Sequence, residues 1–210
     1  MPSATWDLIH AERRRLVEDL DGLDAEQWAT RSLCGDWTVH EVLGHVVALT
    51  KQTPPKFFVK LAASGFRFNR MVARDVARES AGTPERTLAE LRDRLDDTNA
   101  PPGPVDSWLG EMVVHGADLR RPLGIVYTPP TATLIQVADF YKNSDLLIGS
   151  KTRIAGLQLR ATDAPWTHGS GPEVSGPMLS LVQAMTGRRA ALADLAGDGV
   201  ETLRSRMAGQ

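Results

Sequence analysis

Apolar residues recur at intervals of three and four along the first two thirds of the chain, which is the spacing of helices that bury one face. The pattern predicts helices that cover residues 4–20, 38–50, 57–79, 84–95, 107–121 and 131–147. The third helix is expected to bury an apolar set made of Phe58, Leu61, Phe68, Met71 and Val72. Gly65 lies inside that helix and is a candidate position for a break.

Capping residues predict where several of these helices begin. Thr38 can accept a hydrogen bond from the amide of Glu41, and the Glu41 side chain can reach back to the amide of Thr38, which is a capping box. Thr83 is a cap that is followed by proline at the first helical position. Asp106 or Ser107 is expected to cap the fifth helix.

The pattern changes after residue 150. Leu157, Leu159 and Ala161 alternate with polar residues, which predicts a half-buried strand. Residues 166–168 and 173–175 flank a Gly-Ser-Gly-Pro turn and suggest a hairpin, and two short helices are expected at 177–186 and 198–207. The sequence therefore predicts a mainly α protein, with a helical bundle over 1–150 and a small α/β domain over 151–210.

The composition of the chain indicates which binding partners and which cellular compartment to expect. The chain has 210 residues and a formal net charge of -2, so overall charge gives no indication of nucleic-acid binding. It has no apolar run of about 18 residues, and its N-terminus lacks the basic-then-apolar order of a secretory signal. The one cysteine excludes an intrachain disulfide and fits a reducing compartment. We therefore expect a cytoplasmic protein that has neither nucleic acid nor a membrane as a partner.

Three polar residues interrupt the apolar stripes of the predicted bundle. His45 lies on the stripe of the second helix, and Glu111 and His115 lie one turn apart on the stripe of the fifth. A buried carboxylate that lacks a partner costs several kcal/mol or more. Two neutral imidazoles and a carboxylate that converge on one cation would remove this cost. Two histidines and one glutamate, with one coordination position open, are a ligand set of catalytic zinc.

The spacing alone allows other interpretations of these polar residues. His45 and His115 can be core histidines bonded to backbone carbonyls, with Glu111 paired to an arginine. Asp118 can accept the free ring N–H of His115, or it can form an ion pair with Arg121.

His40 and Cys34 are two further residues near these positions whose side chains are of types that bind metals. His40 lies five residues before His45, off the ligand face, and we expect it to be exposed. We interpret Cys34 as a packing thiol in preference to a nucleophile or a fourth ligand.

Two stretches resemble a known family. Residues 34–45, CGDWTVHEVLGH, and residues 110–120, GEMVVHGADLR, are similar to signatures of the mycothiol-dependent maleylpyruvate isomerase family within the DinB-like metalloenzymes. The resemblance implies a DinB-like four-helix bundle in which His45, Glu111 and His115 hold a divalent metal, zinc first, and mycothiol acts as the thiol cosubstrate. The run that ends at Arg188 resembles the family's small sterol-carrier-like domain and makes Arg188 a candidate for binding the cosubstrate.

The resemblance implies an enzyme that acts on a small electrophile through a metal-activated thiolate, since the thiolate is the nucleophilic form. Both an isomerase and a thiol S-transferase fit this description. A metal-dependent hydrolase that uses bound water is an alternative. A non-catalytic, zinc-stabilised module that binds a ligand is another.

Overall fold

The computed structural model describes residues 2–146 and 148–207. Contacts within the chain divide it into two compact units, Met1–Tyr127 and Thr128–Gln210. The first unit is helical, and the second combines helices with a three-stranded sheet. The fold class expected from the sequence, mainly α with a small α/β part near the C-terminus, is confirmed.

The helices of the first unit pack into a bundle. They are α1 (Pro2–Leu20), α2 (Ala25–Ala29), α3 (Val39–Thr50), α4 (Pro54–Ala63), α5 (Phe68–Glu79), α6 (Pro84–Arg92) and α7 (Val105–Arg120). Helix α3 contacts α5, α6 and α7, and α1 contacts α6 and α7. The fully buried side chains of this bundle include Ile9, Leu16, Leu20, Leu43, Leu91 and Leu109. The apolar stripes of α1, α3, α6 and α7 therefore form one core.

Helix starts follow the predicted caps, with one exception. The capping box of α3 is confirmed, because Glu41 N donates to Thr38 Oγ1 at 3.2 Å and Thr38 N donates to Glu41 Oε2 at 2.8 Å. Helix α7 begins earlier than expected, with Pro104 as its N-cap. The Ser107 hydroxyl donates to the Pro104 carbonyl at 2.6 Å. A proline in extended conformation sets this start, and the prediction of Asp106 or Ser107 as the cap was wrong.

The helix predicted over 57–79 consists of two helices, α4 and α5. Gly65 and Phe66 both have positive φ, +66° and +58°, and the chain turns there. The candidate break at Gly65 is therefore confirmed. The expected burial of Phe58 is wrong, since 58% of this residue is exposed and α4 contains no buried residue.

The second unit begins with α8 (Thr131–Tyr141) and continues with α9 (Ser150–Ile154), α10 (Met178–Met185), a 3₁₀ helix (Arg189–Asp194) and α11 (Val200–Ser205). Helix α8 packs on α10, so it belongs to this unit, whereas our division at residue 150 placed it in the first domain. The helix was expected to reach 147 but ends at Tyr141, and Leu147 lies outside the described residues.

The sheet has the strand order β2-β1-β3, with β1 at Gln158–Ala161, β2 at Thr167–Gly169 and β3 at Glu173–Gly176. Strand β1 shows the predicted alternation. It pairs antiparallel with β2 and parallel with β3, so the hairpin predicted between β2 and β3 was wrong. A Cβ at Gly169 or Gly171 would collide with the carbonyl oxygen of Leu157 or Gly156. These glycines let the chain cross the start of β1 and reach its other side.

Candidate metal centre

The packing of α3 against α7 brings the three predicted ligands together. Glu111 Oε2 lies 3.1 Å from His115 Nε2 and 3.5 Å from His45 Nε2. The two imidazole rings have centroids 4.8 Å apart and stand nearly perpendicular. One donor atom from each side chain lies within 4.8 Å of the other two.

The donor set suits a divalent cation. Two imidazole nitrogens and one carboxylate oxygen lie within 4.8 Å of one another, and these are ligand types that zinc accepts. The side chains of His45, Glu111 and His115 are 12%, 27% and 8% exposed, so the cluster is shielded while Glu111 remains partly accessible. The residues present therefore fit a divalent metal.

The charges in the cluster depend on one another. Burial raises the pKa of Glu111, but hydrogen bonds and charge from His115 and His45 outweigh it and hold the pKa below its ordinary value. Burial lowers the pKa of His115, but hydrogen bonds with Asp118, Cys34 and Glu111 raise that pKa well above 6.5. Without a metal, the site therefore favours an ionised Glu111 beside a protonated His115.

Asp118 is the partner of the second ring nitrogen of His115. Its Oδ2 lies 3.0 Å from His115 Nδ1, and its side chain has 0% exposure. Both ring nitrogens of His115 thus face carboxylates, which disfavours its interpretation as a core histidine bonded to backbone carbonyls. A carboxylate on the outer nitrogen of a ligand histidine fixes the tautomer that directs Nε2 toward a metal.

Cys34 lies beside His115, although its distance in sequence from His45 gave no reason to expect this. Leu33 N donates to the carbonyl oxygen of Asp118 at 3.2 Å, which ties the loop before α3 to α7. The half-buried thiol forms a hydrogen bond with His115, and donor atoms of Cys34, His115 and Asp118 lie within 4.8 Å of one another. Packing alone therefore does not describe this residue. The helical periodicity carries no signal for a contact made by a loop.

An aromatic ring and a small cavity lie next to the three predicted ligands. The Trp37 ring lies 5.4 Å from that of His45 between centroids. A cavity of about 20 Å³, the size of roughly one water molecule, is lined by Glu111, Arg13 and Trp108 among others.

His40 lies off the site as expected. It is half-buried rather than exposed, because its Nε2 lies 3.0 Å from Thr87 Oγ1.

Arg188 lies in the second unit, in the turn after α10. Its Nη1 donates to the carbonyl oxygen of Thr186 at 3.0 Å. Burial, and then the charge of Arg188, lower the pKa of Arg153, so two guanidinium groups are near each other in this unit. The role of Arg188 in binding a cosubstrate stays a prediction.

The pH dependence of the metal-free protein follows from these charges. A proton on His115 contributes stability that is fully present below the unfolded pKa of about 6.5 and is lost as the pH rises through the higher folded pKa. Ionised Glu111 contributes above its unfolded pKa of about 4.5 and loses this contribution as the pH falls further. We expect the urea midpoint of chelated protein to be highest between these values and to fall toward pH 9.

Asp118→Asn is the matched variant for this measurement, since it removes the carboxylate that holds the proton on His115 while it keeps the shape of the side chain. Its urea midpoint is expected to change less between pH 6 and pH 9, a range that spans the neutral region in which histidine titrates. A midpoint of the unmodified chelated protein that rises over this range would contradict the charge assignment.

The first unit is thus a helical bundle in which two histidines and one glutamate from α3 and α7 lie together. Residues 9–120 match the family model described as the mycothiol maleylpyruvate isomerase N-terminal domain. This match covers more than half of the chain, and the chain therefore belongs to that family. The resemblance stated from the sequence is confirmed, and the family is one of enzymes.

Solved structures agree on the fold. The crystal structure of the mycothiol-dependent maleylpyruvate isomerase superposes with a TM-score of 0.65 at 16% identity, over 94% of this chain and 93% of that one. A histidine-to-alanine mutant of that enzyme gives a TM-score of 0.61 at the same identity and coverage. Among curated proteins, none matches this sequence.

Proposed function

We propose that the protein is a mycothiol-dependent metalloenzyme that acts on a small electrophilic substrate, with His45, Glu111 and His115 as the ligands of a divalent metal, zinc first. The observation that supports this most is the convergence of the three donor atoms within 4.8 Å, on helices that lie inside the region matched by the family model. The single cysteine fits a reducing compartment, and a cytoplasmic location is part of the same proposal.

The bound metal would lower the pKa of a thiol at its open position, so that the thiolate exists near neutral pH. The chain's own residues prepare the site for this. Glu111 stays ionised and partly accessible, while Asp118 holds His115 in one orientation. The Trp37 ring packs near His45, with the two ring centroids 5.4 Å apart.

Two reaction outcomes follow from the same thiolate. In an isomerase, the thiolate sulfur adds to one carbon of a conjugated C=C bond, and the substrate rotates about the C–C single bond that results. The C–S bond then breaks, the C=C bond re-forms in the other geometry, and the thiolate is released. In an S-transferase, the sulfur displaces a leaving group or opens a strained ring and stays in the product. The solved relatives are named as isomerases, which supports the first outcome, and their 16% identity leaves the substrate of this chain to experiment.

We further propose that Arg188 binds the polar body of the thiol cosubstrate. A guanidinium group donates several hydrogen bonds in a fixed plane and suits hydroxyl and carboxylate acceptors. The Nη1 of Arg188 is held by the Thr186 carbonyl, so its orientation is restricted before a ligand arrives.

Titration of cobalt-substituted protein with mycothiol tests the proposed function. We expect a sulfur-to-metal charge-transfer band to appear, because the thiol sulfur would occupy the open position. The Arg188→Ala variant should need about 10- to 100-fold more mycothiol for the same band, with unchanged metal content, since charged hydrogen bonds contribute about 1.5–3 kcal/mol. Arg189→Ala is the control, because Arg189 is the next residue along the chain and is exposed. A spectrum that saturating mycothiol leaves unchanged would refute the thiol-dependent mechanism.

A further inference from the structure

Helix α4 presents an apolar face to solvent. Pro55, Phe58, Val59, Ala62 and Ala63 are all exposed, and Phe58 and Val59 are 58% and 69% exposed. The opposite side of the helix packs on α5, where the rings of Phe57 and Phe68 have centroids 6.4 Å apart. The exposed residues therefore cover one continuous side of the helix. We call this surface, together with Phe66 in the turn that follows, the α4 face.

Phe66 extends the α4 face at an energetic cost. It is 78% exposed and has φ of +58°, a left-handed conformation that is strained for an aromatic L-residue. Its amide donates to the carbonyl oxygen of Leu61 at 2.9 Å, a bond that any residue except proline could form. Glycine or asparagine would adopt this left-handed turn at a lower energetic cost. The phenyl ring in this position thus favours a contact outside the chain.

Positive charge surrounds the apolar residues. The segment 54–74 contains five cations and no acidic side chain, although the whole chain has a net charge of -2. Lys60 pairs with Asp75 at 2.9 Å, but within the part of the chain that the structure describes, Lys56, Arg67 and Arg70 form no ion pair. The α4 face is therefore an apolar ridge bordered by free cations.

We propose that the α4 face is a docking surface for anionic lipid bilayers, in which α4 lies in the headgroup region. Aromatic residues beside lysine and arginine on a surface helix are the combination that binds such interfaces. A second copy of the chain is a poorer occupant, since a two-fold contact would bring together two copies of a segment that has five cations and no acidic side chain. Among the described residues no helix is long and apolar enough to cross a membrane, and a peripheral contact needs none. The inference thus revises the expectation that a membrane is not a partner.

Vesicle sedimentation tests the proposal with the full-length protein. We expect binding to vesicles of equimolar phosphatidylcholine and phosphatidylglycerol, weak binding to phosphatidylcholine alone, and release as salt rises from about 0.1 M to about 1 M. Phe66→Gly removes the ring and accepts the left-handed backbone, so it should fold normally and bind about tenfold more weakly. Arg67→Glu should weaken binding to the anionic vesicles by several-fold.

Matched controls lie outside the α4 face. Val126 is 93% exposed, and Val126→Ser should bind like the unmodified protein. Lys151→Glu makes the same change of charge sign as Arg67→Glu at another exposed site and should also have no effect. Equal losses in the controls, or absence of binding to anionic vesicles, would refute the proposal. Light scattering that shows a dimer dissociated by Phe66→Gly would assign the α4 face to self-association and overturn it as well.

Discussion

Replacing His115 with alanine is expected to abolish stoichiometric metal binding and the mycothiol-dependent activity with it. The imidazole supplies one of three convergent donors, and its other nitrogen is held by a fully buried carboxylate. Loss of this ligand should weaken zinc affinity by more than about a hundredfold, because even outer partners of ligand histidines are worth 10–100-fold. Metal content after dialysis, measured by elemental analysis, gives the result directly.

His40→Ala is the control for this experiment. His40 lies on the same helix as His45 but bonds to Thr87, so its loss should leave metal content unchanged. Asp118→Asn provides an intermediate case, since it keeps all three ligands and removes only the partner of His115 Nδ1. We expect an affinity loss of about 10–100-fold there. If His115→Ala retained one metal per chain at unchanged affinity, the assigned ligand set would be wrong.

Removal of the metal by chelation is expected to abolish activity and to leave the helical fold intact at room temperature. The core of the bundle consists of side chains such as Ile9, Leu16, Leu43 and Leu109, which are fully buried without any contribution from the metal site. Burial of each such side chain contributes about 1.5–3 kcal/mol, so hydrophobic packing can hold the bundle together. Far-ultraviolet circular dichroism before and after chelation measures the fold, and restored zinc should restore activity.

Chelation, an activity assay without mycothiol and product analysis together distinguish the proposed enzyme from the alternative functions. Unfolding on chelation, as in structural zinc domains, would favour a zinc-stabilised ligand-binding module. A metal-dependent hydrolase would keep its activity without mycothiol, since it uses water as the nucleophile. Product analysis by mass spectrometry then distinguishes isomerase from S-transferase. An isomerase leaves the thiol free, whereas an S-transferase consumes one thiol per turnover.

Local geometry made much of the site predictable. Residues four apart on a helix share a face, so Glu111 and His115 had to be neighbours once α7 formed. The capping box of Thr38 and Glu41 is likewise a contact between residues three apart. The partnership of these two residues with His45 required more than spacing. It was suggested by polar residues in apolar stripes and by the family signatures.

Contacts between distant parts of the chain were decided only by the tertiary structure. Cys34 reaches His115 because its loop bonds to the end of α7. Strand β3 pairs with β1 instead of β2 because Gly169 and Gly171 allow the chain to cross close to another backbone segment.

The exposure of Phe58 shows the same limit for a single helix. The sequence by itself determined which side chains share a helical face, because that relation depends on backbone geometry over a few residues. It did not determine whether a given face would be covered. The turn at residues 64–67 separates α4 from α5, and the apolar side of α4 remains exposed. Burial depends on which distant elements arrive to pack against a face, and that is decided by the free energy of the whole fold.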